Sequence, residues 1–286
     1  MTADRIHTVG IVGAGTMGQG IAQVCALAGF QVLLYDIQED FISKAITNID
    51  KSLNVGIEKN KLTPEQKKEC LKKIAPCLAL TSLKADLIIE AALENLEIKR
   101  KIFLQLEEVN GPECILATNT SSIPVTQIGS VLKKPERFVG LHFFNPATIM
   151  KLVEVISGVS TSPEIVEALM QFSKKLGKIS VVANDSPGFI VNRIARQFYV
   201  ESLKIIEENV TDFKTVDILL KNNGFKMGPF ELMDLIGVDT NFSVTSSMFQ
   251  SFHFESRFRP NRIQQQKVDA GHYGKKGGKG FYDYTS

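Results

Sequence analysis

Cysteine is scarce in this chain and never paired in motif spacing. Cys25, Cys70, Cys77 and Cys114 are scattered, with no Cys-x-x-Cys among them. A disulfide scaffold or a zinc knuckle is therefore not expected, and no metal is assigned. Reduced thiols fit a reducing compartment, most simply the cytoplasm. Long apolar runs are missing too. Nothing approaches the ~18 uninterrupted apolar residues of a membrane span. No basic leader or cleavage site precedes the first strand-like run, so no signal peptide is expected. Neither sign of charge is in excess: 33 Lys and Arg face 31 Asp and Glu, for a net charge of +2. Such a balance gives no general attraction to nucleic acid or an anionic membrane, and neither is expected as a partner. An anionic ligand has to be met by local groups.

What is present is ample apolar material, 44% of 286 residues, enough for one large or two ordinary domains with packed cores. "TVGIVG" (8–13) and "QVLLYD" (31–36) are short, apolar and rich in β-branched residues, as buried parallel strands are. The helix-length "TMGQGIAQVCALAGF" separates them. "DLIIEAA" (86–92), "CILATN" (114–119), "FVGLHFF" (138–144) and "LVEVIS" (152–157) continue the strand series. Helix punctuation is legible between them. Thr63-Pro64-Glu65-Gln66 has the form of a capping box with proline at the first helical position. Ser162-Pro163 opens a helix with Ile165, Leu169, Phe172 and Leu176 on one face and Gly177 at its end. Strands alternating with helices predict an α/β class chain with a Rossmann-like, doubly wound sheet over 1–184. At "ANDSPGFIVNR" (183–193) the alternation stops. A smaller all-α domain is expected over 185–286, with Ile190, Ile194, Phe198 and Ile205 on one stripe, and "VTDFKTVDILLKNNG" as a helix ended by Gly224. The glycine-rich, basic "GHYGKKGGKGFYDY" reads as a loop leading to an aromatic anchor.

Gly13-x-Gly15-x-x-Gly18 is a weak signal alone, since glycine triplets also mark ordinary turns. Here it follows a strand and opens a helix, and Asp36 ends the next strand. Gly13 lets the chain turn, Gly15 lets backbone N–H groups approach a pyrophosphate, and Gly18 lets helix and strand pack closely. Asp36 is placed to accept from adenosine ribose hydroxyls. A 2′-phosphate would meet like charge there, so NAD is expected over NADP.

The chain has four histidines, and one of them, His142, closes the apolar run "VGLHFFNPA". Oxidising an alcohol by hydride transfer needs a base for the hydroxyl proton, and imidazole titrates near working pH. A fixed acceptor on its second nitrogen would hold one tautomer. Glu154 is the candidate, because His142 and Glu154 are equally distant from Thr148 in the link "NPATIMK". If the flanking strands pair antiparallel, the two side chains lie across from each other. His7, His253 and His272 sit in less suitable places. "ATNTSSIP" (117–124) ends a strand in hydroxyls and amides, where ligands of open α/β sheets bind. Ser121 can meet a substrate oxygen there, although helix capping by Ser121 or Ser122 accounts equally well for the run. Asn192, at the start of the first C-terminal helix, can close the site from the second domain.

Five motifs in order, "GxGTMGxGIAQ", "NTSSIP", "GLHFFNP…MKLVEVI", "SPGFIVNR" and "GPFELMDLIGVD", resemble the L-3-hydroxyacyl-CoA dehydrogenases, and within them the free-standing bacterial 3-hydroxybutyryl-CoA dehydrogenases. The resemblance runs from about residue 5 onward. It implies a catalytic His142–Glu154 pair, with Ser121, Asn145 and Asn192 completing the catalytic set. It implies cofactor contacts on Gly13, Gly15, Thr16, Met17, Gly18, Asp36, Glu94, Lys99, Ser121, Asn145 and Lys276. Coenzyme A contacts would fall on Ser52 and Lys59, with Ser121 and Asn192 also touching substrate. A homodimer through the helical domain, a cleft between the domains and a role in fatty acid or butyrate metabolism are implied as well. The chain departs from the family's "NPxPVMKLVE" in reading "NPATIMKLVE", which changes the link without removing a functional side chain. With no hydratase domain, a monofunctional enzyme is expected. Two alternatives stay open: a dehydrogenase of free hydroxy or sugar acids on the same fold, and a non-catalytic NAD-binding protein.

Overall fold

A computed structural model describes residues 3–285. The chain divides between Ser186 and Pro187 into two compact units. In the first, the order is β1 (Thr8–Val12), α1 (Thr16–Leu27), β2 (Gln31–Tyr35), α2 (Glu39–Glu58), α3 (Pro64–Lys72), β3 (Ile74–Cys77), β4 (Leu87–Glu90), α4 (Leu96–Val109), β5 (Ile115–Thr118), α5 (Val125–Gly129), β6 (Phe138–Phe143), β7 (Leu152–Ser157), α6 (Pro163–Lys175) and β8 (Ile179–Asn184). The strands make one sheet in the order β3-β2-β1-β4-β5-β6-β7-β8. Every pair is parallel except β6 with β7. The chain winds to one side from β1, then returns past it to β4, so the switch point lies between those two strands. Ligands of such sheets bind outside the carboxyl ends there.

Burial explains the composition of the strands. Strands β4, β5 and β6 are buried along their whole length, as helix-covered parallel strands must be. The helices turn apolar stripes into the same core: Ile42, Ala45, Ile49 and Leu53 of α2, which packs against α1 and α3, and Ile165, Leu169 and Phe172 of α6, which covers β6, β7 and β8. Thr63 and Gln66 form the reciprocal capping box that opens α3. Strands β3 and β8 escaped the sequence reading. Both are sheet edges with mostly exposed or half-buried residues, and β3 contains Pro76, which an edge tolerates. All four cysteines are free and buried. Burial pushes the Cys70 thiol up to about 11 and the Cys114 thiol to about 12.

The second unit holds α7 (Val191–Glu207), α8 (Phe213–Asn222), α9 (Pro229–Ile236), α10 (Val238–Ser251) and α11 (Arg262–Asp269). Half of the stripe expected on its first helix holds: Phe198 and Ile205 pack against the core of this unit, whereas Ile190 and Ile194 are exposed. Ile194 is 70% exposed and Ile190 39%, while α7 turns Tyr199, Val200, Leu203 and Arg196 inward. Periodicity marks an amphipathic helix without saying which face meets the core. Nη1 of the buried Arg196 donates to the Asn241 carbonyl at 2.9 Å and the Thr245 hydroxyl at 2.8 Å, its Nε has no partner, and its guanidinium lies 4.8 Å from the Tyr199 ring. The aromatic tail does anchor. Phe281 packs against Phe213 and Phe230 at ring-centroid distances of 5.2 and 5.0 Å. Asp234 accepts from the Phe281 and Tyr282 amides at 2.9 Å, and Asp217 accepts from the Tyr282 hydroxyl at 2.7 Å. Among the described residues no helix is long and apolar enough to cross a membrane.

Candidate active site

Strand β1 ends in the glycine turn. Gly13 sits at φ +102°, a conformation that L side chains rarely adopt, and its N–H donates to the Tyr35 carbonyl at 2.8 Å. A Cβ at Gly18 would lie 1.7 Å from the Gly13 carbonyl oxygen, so only glycine lets α1 start this close to the strand. Gly15, Thr16 and Met17 follow at the opening of α1, whose first turn has no side-chain cap and no acidic residue. Its N–H groups face outward to meet an anion. Asp36, just past β2, accepts from the Ala14 N–H at 2.8 Å and the Gln38 N–H at 3.2 Å, tying the end of β2 to the turn. A narrow backbone cradle with a carboxylate at the neighbouring strand end fits a dinucleotide.

His142 and Glu154 face each other across the antiparallel β6–β7 pair, as register partners. Because β7 runs opposite to β6, the start of one strand meets the end of the other at the carboxyl edge of the parallel sheet. The His142 Nδ1 to Glu154 Oε2 distance is 2.7 Å. His142 is 5% exposed and Glu154 0%. The ring of Phe144 lies 4.5 Å from the imidazole, centroid to centroid. The link between the strands contains a cis Asn145–Pro146 peptide. Lys178 donates from Nζ to the carbonyls of Ala147 and Met150, the latter at 2.7 Å, and so holds the link from behind. Asn145, Thr148, Thr16 and Ser52 line one depression of about 170 Å³ together with Gln19 and Gln23. Lys59 lies just beyond the end of α2, exposed and outside that depression.

Ser121 does not cap a helix, and neither does Ser122, because α5 begins only at Val125. Asp185 meets that helix start instead, accepting from the Val125 and Thr126 amides at 2.9 and 2.7 Å. The 119–122 loop is gathered by Glu94. Its Oε1 accepts from the Thr120 hydroxyl at 2.6 Å, the Ser121 amide at 3.0 Å, and the Ser122 amide and hydroxyl at 3.1 and 3.0 Å. Partial burial pushes the Glu94 carboxyl up, but the Lys99 ammonium, the Thr120 hydroxyl and the loop donors outweigh it and hold it below the usual carboxylate range. Lys99 is itself buried and paired with Glu90 at 2.7 Å. Sequence reasoning missed Glu90 and Lys178. A glutamate inside "LIIE", four buried residues long, was the available signal for the first. Nothing local marks the second.

Asn192 and Lys276 belong to the second unit. Asn192 is half-buried in the first turn of α7, and the Lys276 ammonium pairs with Asp239 at 2.8 Å. Among the described residues no three His, Cys, Asp or Glu side chains gather where they could hold a metal ion.

Two family models cover nearly all of the chain. Residues 8–186 match the 3-hydroxyacyl-CoA dehydrogenase NAD-binding domain, and residues 188–284 match the C-terminal domain of the same family. A 3-hydroxyadipyl-CoA dehydrogenase of Escherichia coli K12 is 49% identical over 284 residues, 99% of this chain. This chain spans 60% of that relative's length. A 3-hydroxybutyryl-CoA dehydrogenase of Bradyrhizobium diazoefficiens is 41% identical, covering 98% of this chain and 96% of its own. The crystal structure of an (S)-3-hydroxybutyryl-CoA dehydrogenase from Ralstonia eutropha superposes with a TM-score of 0.94 at 39% identity, covering 98% of this chain and all of that one.

Proposed function

The chain belongs to the 3-hydroxyacyl-CoA dehydrogenase family of NAD-dependent oxidoreductases, and from that premise we propose that it interconverts short-chain L-3-hydroxyacyl-CoA and 3-ketoacyl-CoA, with 3-hydroxybutyryl-CoA as the preferred substrate. The observation that carries this reading is the buried His142–Glu154 contact at the same sheet edge as the glycine turn. In the oxidative direction His142 takes the proton of the 3-hydroxyl group. Glu154 accepts from Nδ1, which fixes the tautomer and makes Nε2 the nitrogen that receives the proton. The fully buried carboxylate then stabilises the imidazolium at 2.7 Å. In reduction the same imidazolium returns the proton to the 3-keto oxygen. NAD, when bound, supplies the hydride acceptor. Gly13, Gly15, Thr16, Met17 and Gly18 would hold its pyrophosphate, and Asp36 its adenosine ribose. Ser121, Asn145 and Asn192 orient substrate oxygens and the nicotinamide, Lys276 meets the cofactor from the second unit, and Ser52 and Lys59 meet coenzyme A.

A homodimer through the second unit accounts for the apolar side chains that unit leaves uncovered, Ile194, Leu219 and Phe254 among them. Four free thiols suit work in the cytoplasm. The decisive assay follows NADH absorbance with acetoacetyl-CoA, longer 3-ketoacyl-CoAs and free hydroxy or sugar acids. The expected result is the highest kcat/KM at the four-carbon thioester. Absence of thioester turnover would overturn the reading. A second reading, a dicarboxylic acyl chain, comes from the name of the 49% identical relative, and oxidation of 3-hydroxyadipyl-CoA in the same assay separates the two.

A further inference from the structure

Glu90 has no part in the chemistry proposed above, yet it ends β4 fully buried and carries four hydrogen bonds. Its Oε1 accepts from Lys99 Nζ at 2.7 Å and from the Ala92 N–H at 2.8 Å. Its Oε2 accepts from Lys99 Nζ at 2.9 Å and from the Thr118 hydroxyl at 2.8 Å. Lys99 is 1% exposed and reaches forward to Glu94 Oε2 at 3.3 Å. The Lys99 ammonium thus donates to both oxygens of Glu90 and forms an ion pair with Glu94. Glu94, held on one oxygen by Lys99, uses the other to gather the Thr120, Ser121 and Ser122 donors. Asn119, at the head of the same loop, accepts from the Phe143 N–H at 2.8 Å, one residue beyond His142. A continuous chain of polar contacts thus runs from the buried Glu90 through Lys99, Glu94 and the 119–122 loop to the strand of His142.

We propose that Lys99, held from below by Glu90, is a positioning residue that fixes the Ser121 loop through Glu94. The inference rests on the dehydrogenase reading for its kinetic consequence. Physical necessity lies in the charges. Without the ammonium, Glu90 and Glu94 would be two carboxylates facing each other, and the half-exposed Glu94 would turn to water. Its four loop donors would lose their common acceptor.

The test is a Glu90→Gln/Lys99→Met double variant, which keeps the net charge of the cluster, read in three ways. Amide hydrogen exchange at Ser121 and Ser122 needs no substrate, and protection there is expected to fall at least about tenfold; unchanged protection overturns the inference whatever the enzyme acts on. With acetoacetyl-CoA and saturating NADH, kcat is expected to fall about tenfold or more, while the NADH Kd stays within about twofold. A raised NADH Kd with unchanged kcat would instead make Lys99 a cofactor contact. Finally, Ser121→Ala should cost much less in the double variant than in the wild type, because the loop is already released. An equal cost in both backgrounds overturns the coupling. If the double variant does not fold, the same three readouts on Glu94→Gln, whose side chain reaches solvent, decide the matter. Failure of the wild type to turn over any thioester would sink the dehydrogenase reading alone, leaving the exchange result to judge this one.

Discussion

Glu90 and Glu154 stand on one sheet, three strands apart, and neither has any exposed surface. They differ in the cation each faces. Glu90 meets a lysine ammonium, which has donors and no acceptor, and its other lone pairs are taken by a backbone amide and a hydroxyl. Glu154 meets an imidazole, a side chain that can act as both proton acceptor and proton donor. A permanent pair can only hold structure in place. A switchable pair can accept a proton from a third party and give it back. On the proposed reading, the same kind of buried carboxylate serves as an anchor on β4 and as the partner of an acid–base group on β7, and the difference is set by the residue opposite.

The largest effect should come from disarming the switchable pair. His142→Gln keeps an amide that can donate to Glu154 but removes the proton acceptor. We expect kcat to fall by about 10²–10⁴, the usual worth of a positioned acid–base group, with NADH affinity retained. Near-full turnover would erase the distinction between the two pairs. The permanent pair should answer in stability. Lys99→Met leaves Glu90 buried without its counter-charge, and urea unfolding should show a loss of about 3–5 kcal/mol, much of it recovered when Glu90→Gln is added. A Lys99→Met protein as stable as the wild type would mean that the pair anchors nothing. The smallest effect sharpens the comparison at Glu94, the exposed end of the anchor. Its folded-state pKa lies below the ordinary 4.5, so its stabilising contribution is complete above that value and is lost as pH falls through the depressed one. The stability gap between wild type and Glu94→Gln should hence be constant near neutrality and shrink in acid. Parallel curves across that range would contradict it.

Much of the switchable pair was legible from spacing alone. Residues equidistant from Thr148 become register partners once the strands run antiparallel, and the period of two then puts both side chains on one face. The glycine turn and Asp36 were readable because backbone geometry restricts which residues can stand there. The anchor was not. Glu90 looks like a strand end, and Lys99 stood out only through the family resemblance, as a cofactor contact, because burial and pairing arise only when β4 and α4 are brought together. The 119–122 loop showed its polar composition, but helix capping and a functional loop share that composition, and only the late start of α5 separates them. The exposed Ile190 and Ile194 illustrate the reverse error. An amphipathic period was real, and Phe198 and Ile205 do pack against the core, but the side that α7 buries most deeply is centred on Tyr199, Val200 and Leu203.

The two aspartates of the helical unit impose an order on how that unit is made. Asp217 and Asp234 sit on α8 and α9, and their partners Phe281, Tyr282 and Tyr284 arrive about fifty to sixty-five residues later in synthesis. Until residue 284 has left the ribosome, both carboxylates lack those donors and Phe213 and Phe230 lack the ring that closes over them. A nascent chain stopped short of that point would display an unfinished greasy surface to chaperones and proteases, so a premature stop codon there would act through clearance of the protein.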